Sequence, residues 1–383
     1  MRFRYSAEEN GKLVKKAAVY TKDEHNIILS NVDSNAVSIT GRLQANGYET
    51  YIVGGAVRDL ILGKKPKDFD IVTSASPAKI KKIFRNARII GRRFRLVHVY
   101  LDAKIYEVST FRSTKDGPTS NTFGTIEEDV LRRDFSLNAI FYDPVKQLVV
   151  DYVGGMKDIK KRVIRPLISL SHIFTDDPVR MIRAVKYAAV ADFRLPLLLK
   201  RRIRRHSHLL ADISPSRLTE EIFKIIHSPH VHEIVKSLDA FKIYRYLQPN
   251  AVKLFETMPG FKARYFKTMT VLTGKEFKNL PGEALSALIR DYLEDTAPWH
   301  CASFHDAGHD ESISGSGNDP LPLVDRYRKT FILARKFVLP MNPPRVELDS
   351  ALKLLFAEHG ITVKRTRFNE RRKRRITEQK MTE

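Results

Sequence analysis

The sequence predicts an α+β protein: a mixed α/β head, then an all-helical neck and body, then a basic tail. Three observations predict it. Short β-branched runs alternate with helical patterns up to about Pro166. After Pro166 the strand runs disappear and helical periodicity takes over at 178–192, 217–227, 230–240 and 244–258. Lys364 to Arg375 then carries eight basic residues in twelve.

The elements follow in order. Residues 1–24 are polar and mixed in charge, and read as loosely ordered. Ser30 to Asn46 has helical spacing at Val32, Ala36, Val37 and Leu43, with Gly47 as the stop. Tyr48–Val53 is a strand that runs into Gly54-Gly55, and Leu60 to Leu62 continue as a helical turn ended by Gly63. Phe69–Thr73 is a second strand. Pro77–Phe84 is a helix with Ser76 as N-cap. Ala87–Ile90, Leu96–Leu101 and Ile105–Thr110 are strands, the last two joined by a hairpin at Asp102-Ala103-Lys104. These readings divide the chain into an extension (1–29), a head (30–165), a neck (166–260), a body (261–345) and a basic tail (346–383).

The 383 residues hold 67 Lys plus Arg against 44 Asp plus Glu, a formal charge of +23. Such an excess points to a polyanionic partner, with nucleic acid first. A hydrophobic fraction of 43% excludes a disordered chain. The single cysteine, Cys301, excludes an intrachain disulfide and favours a reducing compartment, the cytoplasm. No apolar run reaches the roughly 18–20 residues that span a bilayer, and the N-terminus lacks the apolar stretch of a signal peptide. No membrane partner is expected.

The sharpest chemical feature is Lys67-Asp68-Phe69-Asp70-Ile71-Val72. On a strand Asp68 and Asp70 share one face while Phe69 and Ile71 point into the core. Two adjacent carboxylates repel unless a cation lies between them, and Mg²⁺ takes hard oxygen ligands together with substrate phosphates. Gly54-Gly55 lets backbone approach a phosphate, and Arg58 can point its fork of donors at the same group. Glu107, an acid inside an apolar strand, completes a triad around two metals if its strand lies beside Phe69–Thr73. In Arg132-Arg133-Asp134-Phe135-Ser136-Leu137-Asn138, Arg133 can meet phosphate or ribose. Asp134 can position a hydroxyl or hold Arg133, and Asn138 shares its helical face. Asp177, Arg180 and Arg183 are spaced by three along a helix, and offer an acceptor and donors to the edge of a base such as adenine.

Each motif has a plainer alternative: a solvated acidic pair, an outward-facing Glu, a capping cluster, a surface ion pair. Two weaker signals lie outside the head. Leu199 to His206 is a basic helix whose Arg201, Arg202, Arg204 and Arg205 suit RNA phosphates or a solvated face. Cys301, His305 and His309 are spaced by four, but the stretch runs into a Gly/Ser loop and reads as a polar loop rather than a metal site.

Taken together, YIVGGAVRDLILGKKPKDFDIVTSASP, IEEDVLRRDFSLNAIFYD, VVDYVGGMKDIKKRVIR, FTDDPVRMIRAVKYAA and SPSRLTEEIFKII resemble the class II nucleotidyltransferases, the group of tRNA CCA-adding enzymes and bacterial poly(A) polymerases. The resemblance runs from about Gly47 to Ile226. RNARIIGRRFRLVHVYLDAKIYEVSTFR is similar to the poly(A) polymerase branch, since CCA-adding enzymes carry a His-Gly-Thr segment there.

The resemblance implies a polymerase-β-like nucleotidyltransferase head. It implies two Mg²⁺ ions on Asp68 and Asp70, a catalytic Asp134, and ATP as substrate. Gly54, Gly55, Arg58 and Arg133 match positions for triphosphate and sugar, and Asp177, Arg180 and Arg183 match the base-reading face. The expected activity is template-independent transfer of AMP to an RNA 3′-hydroxyl, as in mRNA 3′-end processing. Arg371, Arg372, Lys373, Arg374 and Arg375 are expected to hold RNA. Its rivals are CCA addition to tRNA, a non-catalytic RNA-binding protein with a retired head, and a metal-dependent phosphohydrolase using the Cys/His stretch. Asp176 stands where the family has Glu, and beyond about Pro249 the resemblance fades.

Overall fold

A computed structural model describes residues 2–7, 13–91, 96–102, 104–113, 122–272, 282–299 and 322–363. The chain forms two compact units, Met1–Leu209 and Leu210–Glu383. The boundary falls inside the segment 166–260 that the sequence groups as one neck.

The first unit is built on a nine-stranded sheet of β1 (Arg2–Ala7), β2 (Leu13–Tyr20), β3 (Thr50–Val53), β4 (Asp70–Thr73), β5 (Ala87–Ile90), β6 (Leu96–Leu101), β7 (Lys104–Thr110), β8 (Ile140–Asp143) and β9 (Leu148–Asp151). Their order across the sheet is β1-β2-β9-β8-β3-β4-β7-β6-β5. Every neighbouring pair is antiparallel except β4 with β7. The central strands β3 and β8 are buried along their whole length, as runs of TYIV and IFYD require. Tyr51, Val53, Val72, Phe111, Ile126, Val130 and Phe141 close one face. Burying each such side chain contributes roughly 1.5–3 kcal/mol.

Helices α1 (Lys22–His25), α2 (Ser34–Ala45), α3 (Gly55–Ile61), α4 (Pro77–Ile83), α5 (Ile126–Leu131), α6 (Gly155–Lys160), α7 (Ile173–Asp176), α8 (Val179–Ala191) and α9 (Leu197–His206) complete the unit. α2 begins where the Asp33 side chain accepts from Asn35 N. α5 is capped by reciprocal bonds between Thr125 and Glu128.

Three expectations are corrected here. Residues 2–7 and 13–20 are not loose: β1 and β2 pair antiparallel and join the sheet through β9. The signal was weak because Ala17 and Val19 are its buried apolar positions. A polar clamp does the rest: Arg4 donates to Tyr51 Oη at 2.8 Å and to Glu49 at 3.2 Å. Second, Ser76 sits at the N-cap of α4 but makes no side-chain capping bond, and Pro77 starts the helix. Third, Asp68 and Phe69 precede β4, which begins at Asp70. The expected alternation still holds, since Asp68 and Asp70 are exposed while Phe69 and Ile71 are buried.

The second unit is helical: α10 (Pro215–Ile226), α11 (Val231–Ala240), α12 (Tyr244–Leu247), α13 (Pro249–Thr257), α14 (Phe261–Leu272), α15 (Glu283–Thr296), α16 (Leu323–Phe337) and α17 (Arg345–Glu358). The expected helix 244–258 is broken into α12 and α13, because Pro249 disfavours helical backbone at Gln248, which takes φ −137° and ψ 67°. Tyr244 and Tyr265 share a buried hydroxyl–hydroxyl bond of 2.7 Å. Gly282 opens α15 against α17, where a β-carbon would lie 2.4 Å from Ala351 N. No described helix is long and apolar enough to cross a membrane.

Candidate active site

β3 ends at Val53 and α3 begins two residues later, so the chain must turn sharply at Gly54. Gly54 takes φ +77° and ψ −137°, a conformation that side chains resist. Directly across the β3–β4 ladder from Val53 is Asp70. Paired residues point to the same face, so the carboxylate arrives at the turn. A β-carbon added at Gly54 would lie 3.4 Å from Asp70 Oδ2. The bare turn and the acid therefore share one small volume, with Asp68 exposed two residues upstream.

Glu107 is the third acid of the expected triad. β7 lies beside β4 as the sequence reading required, and the pairing Ile71↔Val108 sets Glu107 on the Asp70 face. Its carboxylate, however, lies 3.7 Å from His98 Nε2 on β6. Among the described residues, no three His, Cys, Asp or Glu side chains come together as a metal cage. Asp68 and Asp70 remain as two hard-oxygen donors. That set fits Mg²⁺, which is held by one or two carboxylates and completes its shell with water and substrate phosphates.

Beside the Gly54–Gly55 turn, where Arg58 Nη2 lies 3.5 Å from where a Gly55 β-carbon would stand, three separate motifs meet. Arg58 on α3 donates Nε to Asp59 at 2.9 Å and Nη1 to Asn138 Oδ1 at 3.0 Å. Asn138 turns its other end to Asp134, Nδ2 to Oδ1 at 3.1 Å. The amide orientation follows from charge: its oxygen faces the guanidinium and its nitrogen faces the carboxylate. Asp134 also accepts from Phe135 N at 2.7 Å, and its Oδ2 lies 4.0 Å from Arg183 Nη1 on α8. Arg58, Asn138, Asp134 and Arg183 thus form one chain of contacts. Tyr187, one turn beyond Arg183, fills the angle: Arg58 stacks on its ring at 5.0 Å, and Phe135 meets it edge-on at 6.2 Å.

Several expected partners differ. Asn138 reaches Asp134 through a 3-10 turn, Ser136–Asn138, rather than along an α-helix. Arg133 is held by Asp129, at 2.7 Å, and not by Asp134. Asp177 does not line the α8 face. It lies in the extended link before the helix, where its Oδ1 accepts from Val179 N at 3.2 Å. Arg180 is buried and donates to Ile173 O at 3.1 Å. Burial pushes its pKa down, and Asp177, Asp134 and Asp176 act in the opposite direction, so it stands within the same acidic surround.

On α9, Arg201, Arg204 and Arg205 are exposed and Arg202 is half-buried, while Leu199 and Ile203 face the core. Arg371, Arg372, Lys373, Arg374, Arg375, Cys301, His305 and His309 lie outside the described residues.

Sequence reasoning missed Asp129, Asp59 and Tyr187. Asp129 was findable, since it precedes Arg133 by one helical turn. Tyr187 shows the same four-residue spacing from Arg183 but reads as an ordinary core aromatic.

Fold and site together define a nucleotidyltransferase-type head followed by helices. Residues 50–165 match the poly A polymerase head domain, and residues 192–254 match the family described as a probable RNA and SrmB-binding site of polymerase A. The chain is similar to bacterial poly(A) polymerases and to CCA-adding enzymes. It is 41% identical over 256 residues to poly(A) polymerase I of Escherichia coli, covering 63% of this chain and 55% of that one. It is 38% identical over 224 residues to the CCA-adding enzyme of Geobacillus thermodenitrificans, covering 57% and 55%. Its fold is similar to the Bacillus stearothermophilus CCA-adding enzyme solved with CTP, with TM-score 0.55, 27% identity, and 85% and 70% of the two chains covered. The chain spans about half the length of the curated relatives it matches.

Proposed function

We propose that this protein transfers AMP from ATP to an RNA 3′-hydroxyl without a template, releasing pyrophosphate. The observation that carries this reading is the meeting of the Gly54 turn with Asp70, 3.4 Å from where a β-carbon would stand. A nucleoside triphosphate needs a backbone approach for its phosphates and hard oxygens beside them, and both are present at that point. Asp68 and Asp70 would hold Mg²⁺, which when bound would supply Lewis-acid activation of a hydroxyl and neutralise charge on a triphosphate.

The remaining work falls to the chain's own groups. Arg58, fixed by Asp59, Asn138 and Tyr187, presents a guanidinium beside the Gly54–Gly55 turn for phosphate oxygens. Asp134 accepts a sugar hydroxyl or orients Arg183. Asp177 and Arg180 stand at the start of α8 as an acceptor and a donor for the adenine edge. The 3′-hydroxyl attacks the α-phosphorus in line, the new P–O bond forms, and the bond to pyrophosphate breaks. The exposed arginines of α9 hold RNA by its phosphates, so binding weakens as salt rises. The reaction partners are RNA 3′ ends and ATP, and the setting proposed is the cytoplasm.

Preference for ATP is supported by poly(A) polymerase I relatives at 41% identity and by the segment at Gly91–Val99, which lacks His-Gly-Thr. The second reading is CCA addition, favoured by the relative at 38% identity and the fold similarity at TM-score 0.55. A tRNA lacking its CCA end, incubated with each single nucleoside triphosphate, separates them. Extension by ATP alone, continuing past three additions, supports the proposal. Efficient CTP incorporation followed by a stop overturns it.

A further inference from the structure

The N-terminal hairpin is built into the sheet on one face and presents Tyr5, Lys15 and Lys16 to solvent on the other. Register and burial define the two faces. Arg4, Ala17 and Val19 point to the core side, where Arg4 is clamped by Tyr51, Glu49 and Tyr152. A bulge between Arg4 and Tyr5 shifts the register, so Tyr5 faces Lys15 on the outer side. Phe3 shares that side. Lys15 Nζ lies 3.4 Å from the centre of the Phe3 ring, and the Phe3 and Tyr5 rings meet edge-on at 6.4 Å. Tyr5 is 56% exposed, and Lys15 and Lys16 are exposed. Neither strand contains an acidic residue.

A structural role alone accounts for the clamped face. It does not account for two aromatic rings interleaved with lysines on the solvent side of an edge strand. The exposed Tyr5 ring, with the free face of Phe3, gives sequence-tolerant stacking to an unpaired base, and the Lys15 ammonium seated over the other Phe3 face meets the adjoining phosphate. The charge of the whole chain, +23, is complementary to such a ligand. Because Arg4 ties the hairpin to Tyr51 on β3, the platform is fixed relative to the strand that leads into the Gly54 turn.

We propose that Phe3, Tyr5 and Lys15, with Lys16 at their edge, form a stacking platform for single-stranded RNA, separate from the Gly54–Asp70 site and from the basic helix α9. This rests on the reading that the protein acts on RNA. It adds a contact made by bases as well as phosphates, which the arginines of α9 do not supply.

The test is binding of a labelled oligoadenylate of about 15 nucleotides to the full chain, measured by fluorescence anisotropy across a salt series. Three variants are compared: Phe3→Ala with Tyr5→Ala, Lys15→Ala with Lys16→Ala, and Arg201→Ala with Arg204→Ala. All replace exposed or half-buried side chains, and circular dichroism verifies that each is folded. The aromatic double variant is expected to bind about tenfold or more weakly with its salt slope unchanged. The lysine double variant is expected to reduce the slope by about 1.4. Photocrosslinking of the wild-type chain to a 4-thiouridine oligonucleotide is expected to label β1. If the wild type binds and the aromatic variant binds equally well, with the loss confined to the α9 variant, the platform is wrong and the RNA reading stands. If the wild type does not bind the oligonucleotide, both fall.

Discussion

A side chain at Gly54 would meet Asp70: its β-carbon would stand 3.4 Å from Asp70 Oδ2, in a turn of φ +77° and ψ −137°. Two constraints fall on one residue. The backbone conformation disfavours any L side chain, and the space beside the acid is where the proposed reaction puts a phosphate and its counter-ion. Gly54→Ala is expected to lower unfolding free energy by about 1–3 kcal/mol. It is also expected to reduce AMP transfer well beyond what that loss explains at 25 °C. Thermal melts and initial rates, measured on the same preparation, check both. Normal rates from Gly54→Ala contradict the placement of the phosphates.

Asn138 joins Arg58 to Asp134 by hydrogen bonds of 3.0 and 3.1 Å. Asn138→Ala removes both bonds. Asn138→Asp keeps an acceptor for Arg58 but sets two carboxylates against each other. Each variant is expected to lower kcat/KM for ATP by about 10²-fold through misplacement of groups it holds. The Asp variant alone is expected to recover partially at lower pH, where one carboxyl of the pair is protonated. Steady-state kinetics across pH measures this. Equal, pH-independent losses contradict the arrangement.

The pair Arg133–Asp129 is largely shielded, with side chains 20% and 8% exposed and a separation of 2.7 Å. Removing one partner leaves the other charge stranded, a cost of about 3 kcal/mol. Asp129→Asn is therefore expected to shift the urea midpoint downward by that equivalent, and to loosen Arg133 over the Phe141 ring. Retention of the wild-type midpoint contradicts this.

His25 couples the hairpin region to the β8–β9 turn. Its Nδ1 accepts from Ile27 N and its Nε2 donates to Gln147 O, both at 3.0 Å. Burial pushes its pKa below the ordinary 6.5. The folded state therefore favours the neutral ring. That stability is complete above pH 6.5 and is lost as pH falls through the depressed folded value. The wild-type Tm is expected to drop more steeply between about pH 7 and pH 5 than that of His25→Gln, which has no ring to titrate. Parallel slopes contradict the assignment.

Much of this was legible in the residues. Alternation at Asp68–Val72 placed two acids on one face although the strand starts only at Asp70, because exposure depends on the local extended backbone and not on ladder length. The Gly54-Gly55 break between β3 and α3 was readable from composition. Contacts between distant segments were less so. No local signal reveals that Arg58 would meet Asn138, eighty residues away, or that Asp134 would reach Arg183 on α8. Those choices are made by packing. The N-terminal hairpin was illegible because its attachment relies on Arg4 reaching Tyr51 and Glu49, polar bonds that leave no hydrophobic period. Pro249, by contrast, announced a break in its helix that periodicity alone overrode.

The central claim is that the acid at the Gly54 turn carries nucleotidyl transfer. The direct measurement is incorporation of radiolabelled AMP onto an oligoribonucleotide with a free 3′-hydroxyl, in Mg²⁺, by the wild type and by Asp70→Asn. The account predicts a growing ladder from ATP with the wild type, and a rate lower by about 10³-fold or more with Asp70→Asn, with the variant's melting temperature near that of the wild type. Extension by Asp70→Asn at the wild-type rate would contradict it.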